Sequence, residues 1–258
     1  MSGRLAGRRS TLFSDYHLHR AGLICGVPTY LLWGHNLLRS IGRAYAHGRD
    51  YIDRMGVTIT IDERKRALRE QLLATRRAMT EAERISAHRA LKAQIRWLVE
   101  REQPKVVAAY LPIGTEPVAH HDEQSLPELL LSAAAKTGGL AVLLPIWKPD
   151  NELGWAYYRG PESLRLTSRG LLEPRQPALP PDEIVAADLM LVPALAVDTV
   201  GNRLGRGAGC YDRALGYARA PIAALLYEHE LLAEVPVADH DIAVASVITP
   251  SGWRPLRS

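Results

Sequence analysis

Hydrophobic and polar positions alternate with a helical period from residue 61 onward. Leu68, Leu72 and Leu73 recur at the spacing of one helical face, which predicts an amphipathic helix. The opposite side of this predicted helix carries its basic residues: Arg64, Lys65, Arg69, Arg76 and Arg77. Thr80 and Glu83 form the pattern of a capping box, so a second helix is predicted to begin there. Its expected buried positions are Ile85, Leu91, Ile95 and Leu98.

Short continuous apolar runs bounded by glycine or proline follow these helices and predict buried strands. The runs cover residues 105–111, 140–146, 153–158, 188–192, 222–227 and 242–248. Helices are predicted over residues 127–136 and from about Tyr211, and the proline-rich residues 173–181 predict a loop. Strands of this kind that alternate with helices predict an α/β fold, with a mostly parallel central sheet flanked by helices.

The positive charge of the chain is concentrated at its amino terminus. The whole chain of 258 residues has a net charge of +4, whereas residues 1–55 alone hold eight arginines and only three aspartates. The remainder is nearly neutral, which argues against a broad nucleic-acid-binding surface. We therefore expect residues 1–55 to be a poorly ordered or appended basic extension, with Met55 as an alternative start, and residues 56–258 to form the folded domain. A targeting leader is the other interpretation of this extension.

Cysteine content and hydropathy indicate the compartment. Cys25 and Cys210 are the two cysteines, too few for a disulfide framework, which predicts the reducing cytoplasm. The apolar residues 21–34 are interrupted by Pro28 and are too short to span a bilayer. The sequence thus predicts a protein without a transmembrane helix.

The segment RLGRGAGCYDRAL, residues 203–215, carries the most distinctive chemistry. Gly205, Gly207 and Gly209 stand at every second position between a predicted strand and a predicted helix, where open parallel sheets bind ligands. Main-chain N–H groups of such a loop can form an anion nest, and Arg203 and Arg206 add positive charge, so the segment predicts a phosphate site. A carboxylate beside phosphates repels them unless a cation lies between, which gives Asp212 a role at Mg²⁺. The alternatives are an ordinary turn and a helix cap at Asp212.

Taken together, this segment, the preceding VPALAVD and the sequence YLPIGTEP at residues 110–117 resemble the 5-formyltetrahydrofolate cyclo-ligase family. The resemblance covers about residues 62–251 and does not extend to residues 1–55. It implies a fold similar to the ribose-phosphate isomerase and CoA-transferase group. It also implies conversion of 5-formyltetrahydrofolate to 5,10-methenyltetrahydrofolate with ATP and Mg²⁺, by a monomer or homodimer that binds neither nucleic acid nor membrane.

The resemblance also implies individual site residues. The ATP-binding positions are Lys65, Arg69, Arg203, Leu204, Gly205, Arg206, Gly207, Ala208, Gly209, Cys210 and Tyr211. The substrate-binding positions are Leu111, Glu116, Arg206, Gly207, Ala208, Gly209 and Cys210. Asp212 and Asp241 match the magnesium carboxylates, and Lys65, Arg206 and Asp212 are the expected catalytic residues. Lys65 and Arg69 are four residues apart on the predicted helix, so both can reach one phosphate chain, although a solvated basic face is the alternative.

One position departs from the family pattern. The family usually has two aromatic residues before the aspartate, and here the first is Cys210, which puts the affinity for the substrate in question. This position keeps open a related ATP-dependent enzyme with a changed substrate. The basic extension separately keeps open an RNA-associated or scaffold protein. A nucleophilic role for Cys210 is a weaker alternative, because no histidine lies nearby in the sequence to act as a base.

Two further groups of residues have a structural and a functional interpretation. His120, His121 and Asp122 could ligate a metal, but a polar patch at a helix start is favoured because no second cluster stands at ligand spacing. Trp147, Trp155, Tyr157 and Tyr158 could stack on a pterin ring, and core packing is the favoured alternative.

Overall fold

Two long helices open the main described part of the chain. The computed structural model describes residues 51–52, 58–119 and 124–256. Helix α1 (Ile61–Ala78) and helix α2 (Glu81–Glu102) both start at a threonine whose side chain accepts a hydrogen bond from the third residue of the helix. Oγ1 of Thr80 lies 3.3 Å from the Glu83 nitrogen, which confirms the predicted capping box. Two shorter helices are α3 (Leu126–Ala134) and α4 (Cys210–Leu215).

Fourteen strands occur in the described residues. In chain order they are β1 (Tyr51–Ile52), β2 (Thr58–Ile59), β3 (Val106–Ala108), β4 (Ala141–Trp147), β5 (Leu153–Tyr157), β6 (Leu164–Leu166), β7 (Leu172–Pro174), β8 (Leu189–Pro193), β9 (Ala196–Asp198), β10 (Arg203–Leu204), β11 (Ile222–Leu225), β12 (Leu231–Leu232), β13 (Ser246–Thr249) and β14 (Gly252–Pro255). Short 3₁₀ helices cover Pro161–Ser163, Pro181–Ala186 and Glu228–Glu230.

Seven of these strands form the central sheet, in the order β14-β13-β11-β8-β3-β4-β5. The five inner strands run parallel to one another. Each edge strand, β14 or β5, runs antiparallel to the strand beside it. The predicted α/β fold with a mostly parallel sheet is therefore confirmed. The remaining strands form small sheets, of which β10-β9-β12 holds the start of the glycine segment beside the central sheet.

Alternate residues of the inner strands pack into two separate cores, because side chains of a strand point to opposite faces. On one face, Val107 and Leu191 join the buried residues of α2 and α3. On the other face, Ala108 and Val192 join α4 and the buried Trp155. Trp155 and Tyr158 are both buried, which confirms the core interpretation for these two aromatic residues. The prediction that Ile85 is buried is wrong, since its side chain is 39% exposed.

The prediction that leucines and basic residues lie on opposite sides of α1 is also wrong. The buried residues of this helix are Lys65, Leu72 and Arg76, so two of its basic residues share the buried face with leucine. Arg76 and Glu230 are both 0% exposed, with Nε of Arg76 2.5 Å from Oε1 of Glu230 and Nη2 2.6 Å from the Ala194 carbonyl oxygen. Burial opposes the charge of Arg76, but the hydrogen bonds and negative charge of Glu230 outweigh it and raise the pKa of Arg76. A helical period cannot reveal this partner, which lies far along the chain.

Several predictions fall on parts of the chain that the structure does not describe. His120, His121 and Asp122 lie outside the described residues, as do residues 1–50 and 53–57. The predicted extension over residues 1–55 is represented only by Tyr51–Ile52, which pairs with β2, so the domain boundary stays a prediction. Within the described ranges, no helix is long and apolar enough to cross a membrane.

We expect Glu230→Gln to lower the free energy of unfolding by about 3–5 kcal/mol, because it leaves the charge of Arg76 buried without a counterion. Urea denaturation of the full chain measures this change. Glu152→Gln is the matched control, since the Lys148–Glu152 pair is about one-third exposed and removal of such a pair costs about 1 kcal/mol or less. Equal losses in the two variants would contradict a structural role for the buried pair.

Candidate active site

A cavity of about 670 Å³ lies at the carboxyl ends of the central strands. Its walls come from α1, from the segments that follow β3 and β8, from the second half of β4 and from residues 203–212. Every residue that the sequence analysis assigned to ATP, folate or magnesium lines this cavity. The structure therefore brings together positions that are up to 176 residues apart in the chain, as Lys65 and Asp241 are.

The glycine segment leaves β10 and enters α4 through a loop that requires glycine at two positions. Gly207 has a φ of +103° and Gly209 a φ of +67°, both in the region that residues with a Cβ rarely adopt. A Cβ on Gly207 would also lie 3.3 Å from Cζ of Arg69. The loop thus lies directly against the basic face of α1, which explains why glycine stands here rather than a residue with a side chain.

Arginine side chains fix this loop from two sides. Nε of Arg69 donates a hydrogen bond to the Gly205 carbonyl oxygen at 3.0 Å. Nη2 of Arg213 donates to the Asn151 carbonyl oxygen at 2.5 Å and lies 3.4 Å from that of Ala208. Hydrogen bonds from the protein's own side chains therefore fix the backbone conformation of the loop.

Both carboxylates predicted for magnesium are paired with cations. Oδ1 of Asp212 lies 2.5 Å from Nη2 of Arg203, whose side chain is buried. Oδ2 of Asp241 accepts a hydrogen bond from Nζ of Lys65, and another from the Ala238 nitrogen at 2.7 Å. Each aspartate is therefore held at the cavity by a basic residue that the sequence analysis assigned to ATP.

These two carboxylates fit a magnesium ion that shares its coordination with phosphates. The described residues contain no cluster of three or more histidine, cysteine, aspartate or glutamate side chains that could hold a metal by themselves. Magnesium at phosphate sites needs only one or two carboxylates, because waters and phosphate oxygens supply the remaining ligands. Asp212 and Asp241 provide that number at the cavity wall.

Glu116 connects the YLPIGTEP segment to the glycine segment. Its Oε1 lies 3.0 Å from Nε of Arg206, and its Oε2 accepts a hydrogen bond from the Ile113 nitrogen at 3.0 Å. Glu116 is buried. The pKa values of Tyr110 and Tyr211 are both raised, first because these tyrosines are themselves buried and second because the negative charge of Glu116 lies nearby. These two tyrosines stay protonated at any ordinary working pH and can donate hydrogen bonds.

Cys210, the departure from the family pattern, is the first residue of α4 and lines the cavity. Its Sγ lies 3.9 Å from the Ala208 carbonyl oxygen, and the residue is only partly buried. Cysteine is smaller than the aromatic residue that is usual at this position. The effect of this difference on the affinity for the substrate stays a prediction.

Sequence reasoning missed several lining residues. Cζ of Arg169 lies 3.3 Å from the ring centroid of Trp147, and both residues line the cavity. Glu173, which accepts a hydrogen bond from the Trp147 nitrogen at 3.1 Å, lines it as well. Trp147 was among the aromatic residues for which core packing was favoured over pterin stacking. Its place in the cavity lining keeps the stacking alternative open. Arg169 lies in the turn between β6 and β7 and offers no local sequence signal of its position.

Comparison with known proteins agrees with the resemblance carried by the glycine segment. Residues 61–250 match the model of the 5-formyltetrahydrofolate cyclo-ligase family. A 5-formyltetrahydrofolate cyclo-ligase of Mycolicibacterium smegmatis is 41% identical over 193 residues, which cover 72% of this chain and 93% of that protein. The chain belongs to the 5-formyltetrahydrofolate cyclo-ligase family. The predicted family is therefore confirmed.

Solved structures of cyclo-ligase relatives have the same fold. The NMR structure of 5,10-methenyltetrahydrofolate synthetase from Aquifex aeolicus has a TM-score of 0.62 at 27% identity and covers 75% of this chain and 93% of its own. The corresponding synthetase from Mycoplasma pneumoniae has a TM-score of 0.55 at 21% identity, and covers 72% of this chain and 98% of its own. The cyclo-ligase fold therefore accounts for the described part of the chain from α1 to β13.

Proposed function

We propose that this protein uses ATP and Mg²⁺ to convert 5-formyltetrahydrofolate to 5,10-methenyltetrahydrofolate. The observation that carries the proposal is the convergence of the predicted nucleotide, folate and magnesium residues on one cavity of about 670 Å³. This volume lies within the range of small-molecule sites. Membership of the cyclo-ligase family gives the convergence its chemical meaning.

The nucleotide half of the site combines the glycine loop with basic side chains. Lys65, Arg69 and Arg206 line the cavity beside the loop, and Arg69 touches it directly. In the proposed complex, these cations and the loop amides bind the triphosphate and neutralise its charge. Arg203 is buried against Asp212, so its part is to hold that carboxylate at the edge of the phosphate site.

Asp212 and Asp241 are the residues that would hold Mg²⁺. A bound magnesium ion supplies positive charge that stabilises the transferring phosphoryl group. Lys65 pairs with Asp241, and Arg203 pairs with Asp212. They thereby keep two acidic groups close to a site that must attract an anion.

The folate half of the site is formed by Leu111, Glu116 and the glycine loop. We propose that this half orients the formyl oxygen toward the γ-phosphate of ATP, since positioning is the main requirement of phosphoryl transfer. The formyl oxygen attacks the γ-phosphorus and ADP leaves, which converts the oxygen to a phosphate leaving group. N10 of the folate then attacks the formyl carbon, which closes the five-membered ring, and loses its proton. The carbon–oxygen bond breaks next, which releases inorganic phosphate and leaves the methenyl group. No covalent bond to the protein is needed.

The formation of the methenyl chromophore tests the proposal. We expect the full chain to produce 5,10-methenyltetrahydrofolate, read by absorbance, from 5-formyltetrahydrofolate only when ATP and Mg²⁺ are both present. ADP and phosphate should appear in equal amounts with the chromophore. ATP-dependent activity on another acceptor, without this product, would instead support the related enzyme with a changed substrate.

A second prediction concerns the magnesium carboxylate at the start of α4. We expect Asp212→Asn to raise the Mg²⁺ concentration for half-maximal turnover about tenfold or more, equivalent to about 1.4 kcal/mol of binding free energy. A magnesium titration of initial rates at saturating ATP measures this change. Asp150→Asn is the control, because Asp150 is exposed and lies outside the cavity lining. An unchanged magnesium requirement in Asp212→Asn would contradict the assignment.

Gly207→Ala tests the contact between the glycine loop and α1. A side chain at a φ of +103° destabilises the fold by about 1–2 kcal/mol, and here the added Cβ also meets Arg69. We expect weaker ATP binding by calorimetry. Gly170→Ala is the control. Gly170 has a φ of +75° and open space where the new Cβ would lie, so this variant should lose stability without loss of ATP affinity. Equal ATP affinity in both variants would argue against phosphate binding by this loop.

A further inference from the structure

Two polar atoms of residues that line the cavity have no hydrogen-bond partner in the described part of the chain. Nη1 of Arg76 and the hydroxyl of Tyr110 are buried atoms that have no hydrogen-bond partner among the described residues. Both residues line the cavity, and Tyr110 as a whole is only 4% exposed. A buried polar atom without a partner costs about 1–3 kcal/mol, so such atoms call for a ligand or water at this wall.

These two atoms lie apart from the phosphate-binding end of the site. Arg76 follows Arg69 by two helical turns, which separates their backbones by about 10 Å along the axis of α1. Tyr110 follows β3 and has its ring packed in the core with Val118 and Leu144. Its hydroxyl is close enough to Glu116, Tyr211 and Arg76 for their charges to influence its pKa. Because Tyr110 directly precedes Leu111 in the chain and lies near Glu116, both predicted folate residues, we assign the unpartnered atoms to the folate half of the proposed site.

The chemistry of the two groups restricts what they can bind. The guanidinium of Arg76 has only donors, and its charge is already neutralised by the two hydrogen bonds to Glu230. Burial and the charge of Glu116 raise the pKa of Tyr110, so its hydroxyl keeps the proton. Two donors beside a compensated charge suit an uncharged acceptor, such as a carbonyl oxygen, better than a phosphate.

We propose that the Tyr110 hydroxyl and Nη1 of Arg76 donate hydrogen bonds to the carbonyl oxygen of the pterin ring of the substrate. This inference rests on the proposed function and deepens it. A pterin carries ring N–H and amino donors next to this carbonyl, and Glu116, an acceptor at the same wall, complements those donors. Tyr110 then determines specificity for a pterin ring that carries a carbonyl group at this position, and Arg76 is the second donor.

Tyr110→Phe removes one oxygen atom and leaves the ring packing intact. We expect about a tenfold weaker affinity for 5-formyltetrahydrofolate, which is the loss of one hydrogen bond, with unchanged ATP affinity and no loss of stability in urea. Tyr158→Phe is the matched control, because Tyr158 is also a buried core tyrosine but does not line the cavity. Arg76 itself is unsuitable for substitution, since its removal leaves Glu230 buried and unpaired.

A ligand pair separates a specific contact from a general weakening of the site. Binding is measured for 5-formyltetrahydrofolate and for its 4-amino analogue, in which an amino donor replaces the ring carbonyl. The wild-type chain should prefer the carbonyl form, and Tyr110→Phe should lose most of that preference by weakening the carbonyl form alone. Equal weakening of both ligands, or unchanged affinity for 5-formyltetrahydrofolate, would overturn the inference.

The same measurements distinguish this inference from the proposed function. A wild-type chain that forms the methenyl chromophore, together with an unaltered Tyr110→Phe variant, contradicts the inference alone. A wild-type chain that neither binds nor converts 5-formyltetrahydrofolate contradicts both.

Discussion

The buried ion pair between Arg76 and Glu230 determines where α1 lies, and the cavity depends on α1. This helix packs its apolar side against a small cluster, in which Leu72 meets Leu195, Leu204 and Val235. Leu72 is the one apolar residue among the buried residues of this 18-residue helix, so apolar burial alone stabilises its packing only modestly. The paired guanidinium and carboxylate add a directional contact that fixes the rotation of the helix about its axis. Lys65 and Arg69 consequently face the glycine loop rather than solvent.

The same constraint explains the glycine at position 207. Because α1 is fixed in rotation, the Arg69 side chain lies over the loop, and a Cβ at Gly207 would contact it. The hydrogen bond from Arg69 to the Gly205 carbonyl then joins helix and loop. The basic residues of α1 are thus structural and functional at once: they position the loop, and in the proposed complex they bind what the loop binds.

Much of the fold could be predicted from local sequence patterns. The capping box at Thr80 and the apolar strands depend on neighbours in the chain. The structure confirms the capping box and has a strand that overlaps each predicted run, although the strand predicted over residues 242–248 begins only at Ser246. The strand predicted over residues 105–111 shortens to Val106–Ala108, because the following residues leave the sheet edge to line the cavity. Ile85 and Arg76 were misjudged for one reason: a helical period shows which residues share a face, but not what the face meets.

The candidate site was predictable where a motif carried it. The glycine segment was predicted from its own residues, whereas Glu116 and Asp241 came from a resemblance to a known family. The structure brings all of them to one cavity. Arg169 had no such signal, since it lies in a hairpin turn. Tyr110 belongs to the YLPIGTEP segment, but the resemblance assigns no site role to it. Their position at the cavity depends on how distant strands are ordered in the sheet, which no local pattern contains.

Charge pairing across the cavity links the two halves of the proposed site. Three cations near the proposed phosphate site are paired with carboxylates: Lys65 with Asp241, Arg203 with Asp212, and Arg206 with Glu116. Arg206 is 46% exposed whereas Glu116 is 7% exposed, so the arginine is the partner that can turn toward a phosphate. Such a turn would leave Glu116 as a buried acceptor without its counterion, and a ligand with N–H donors would then restore its hydrogen bonds. In the proposed complex, binding of the nucleotide would therefore favour binding of a pterin at the opposite wall, because both ligands would share one buried carboxylate through Arg206.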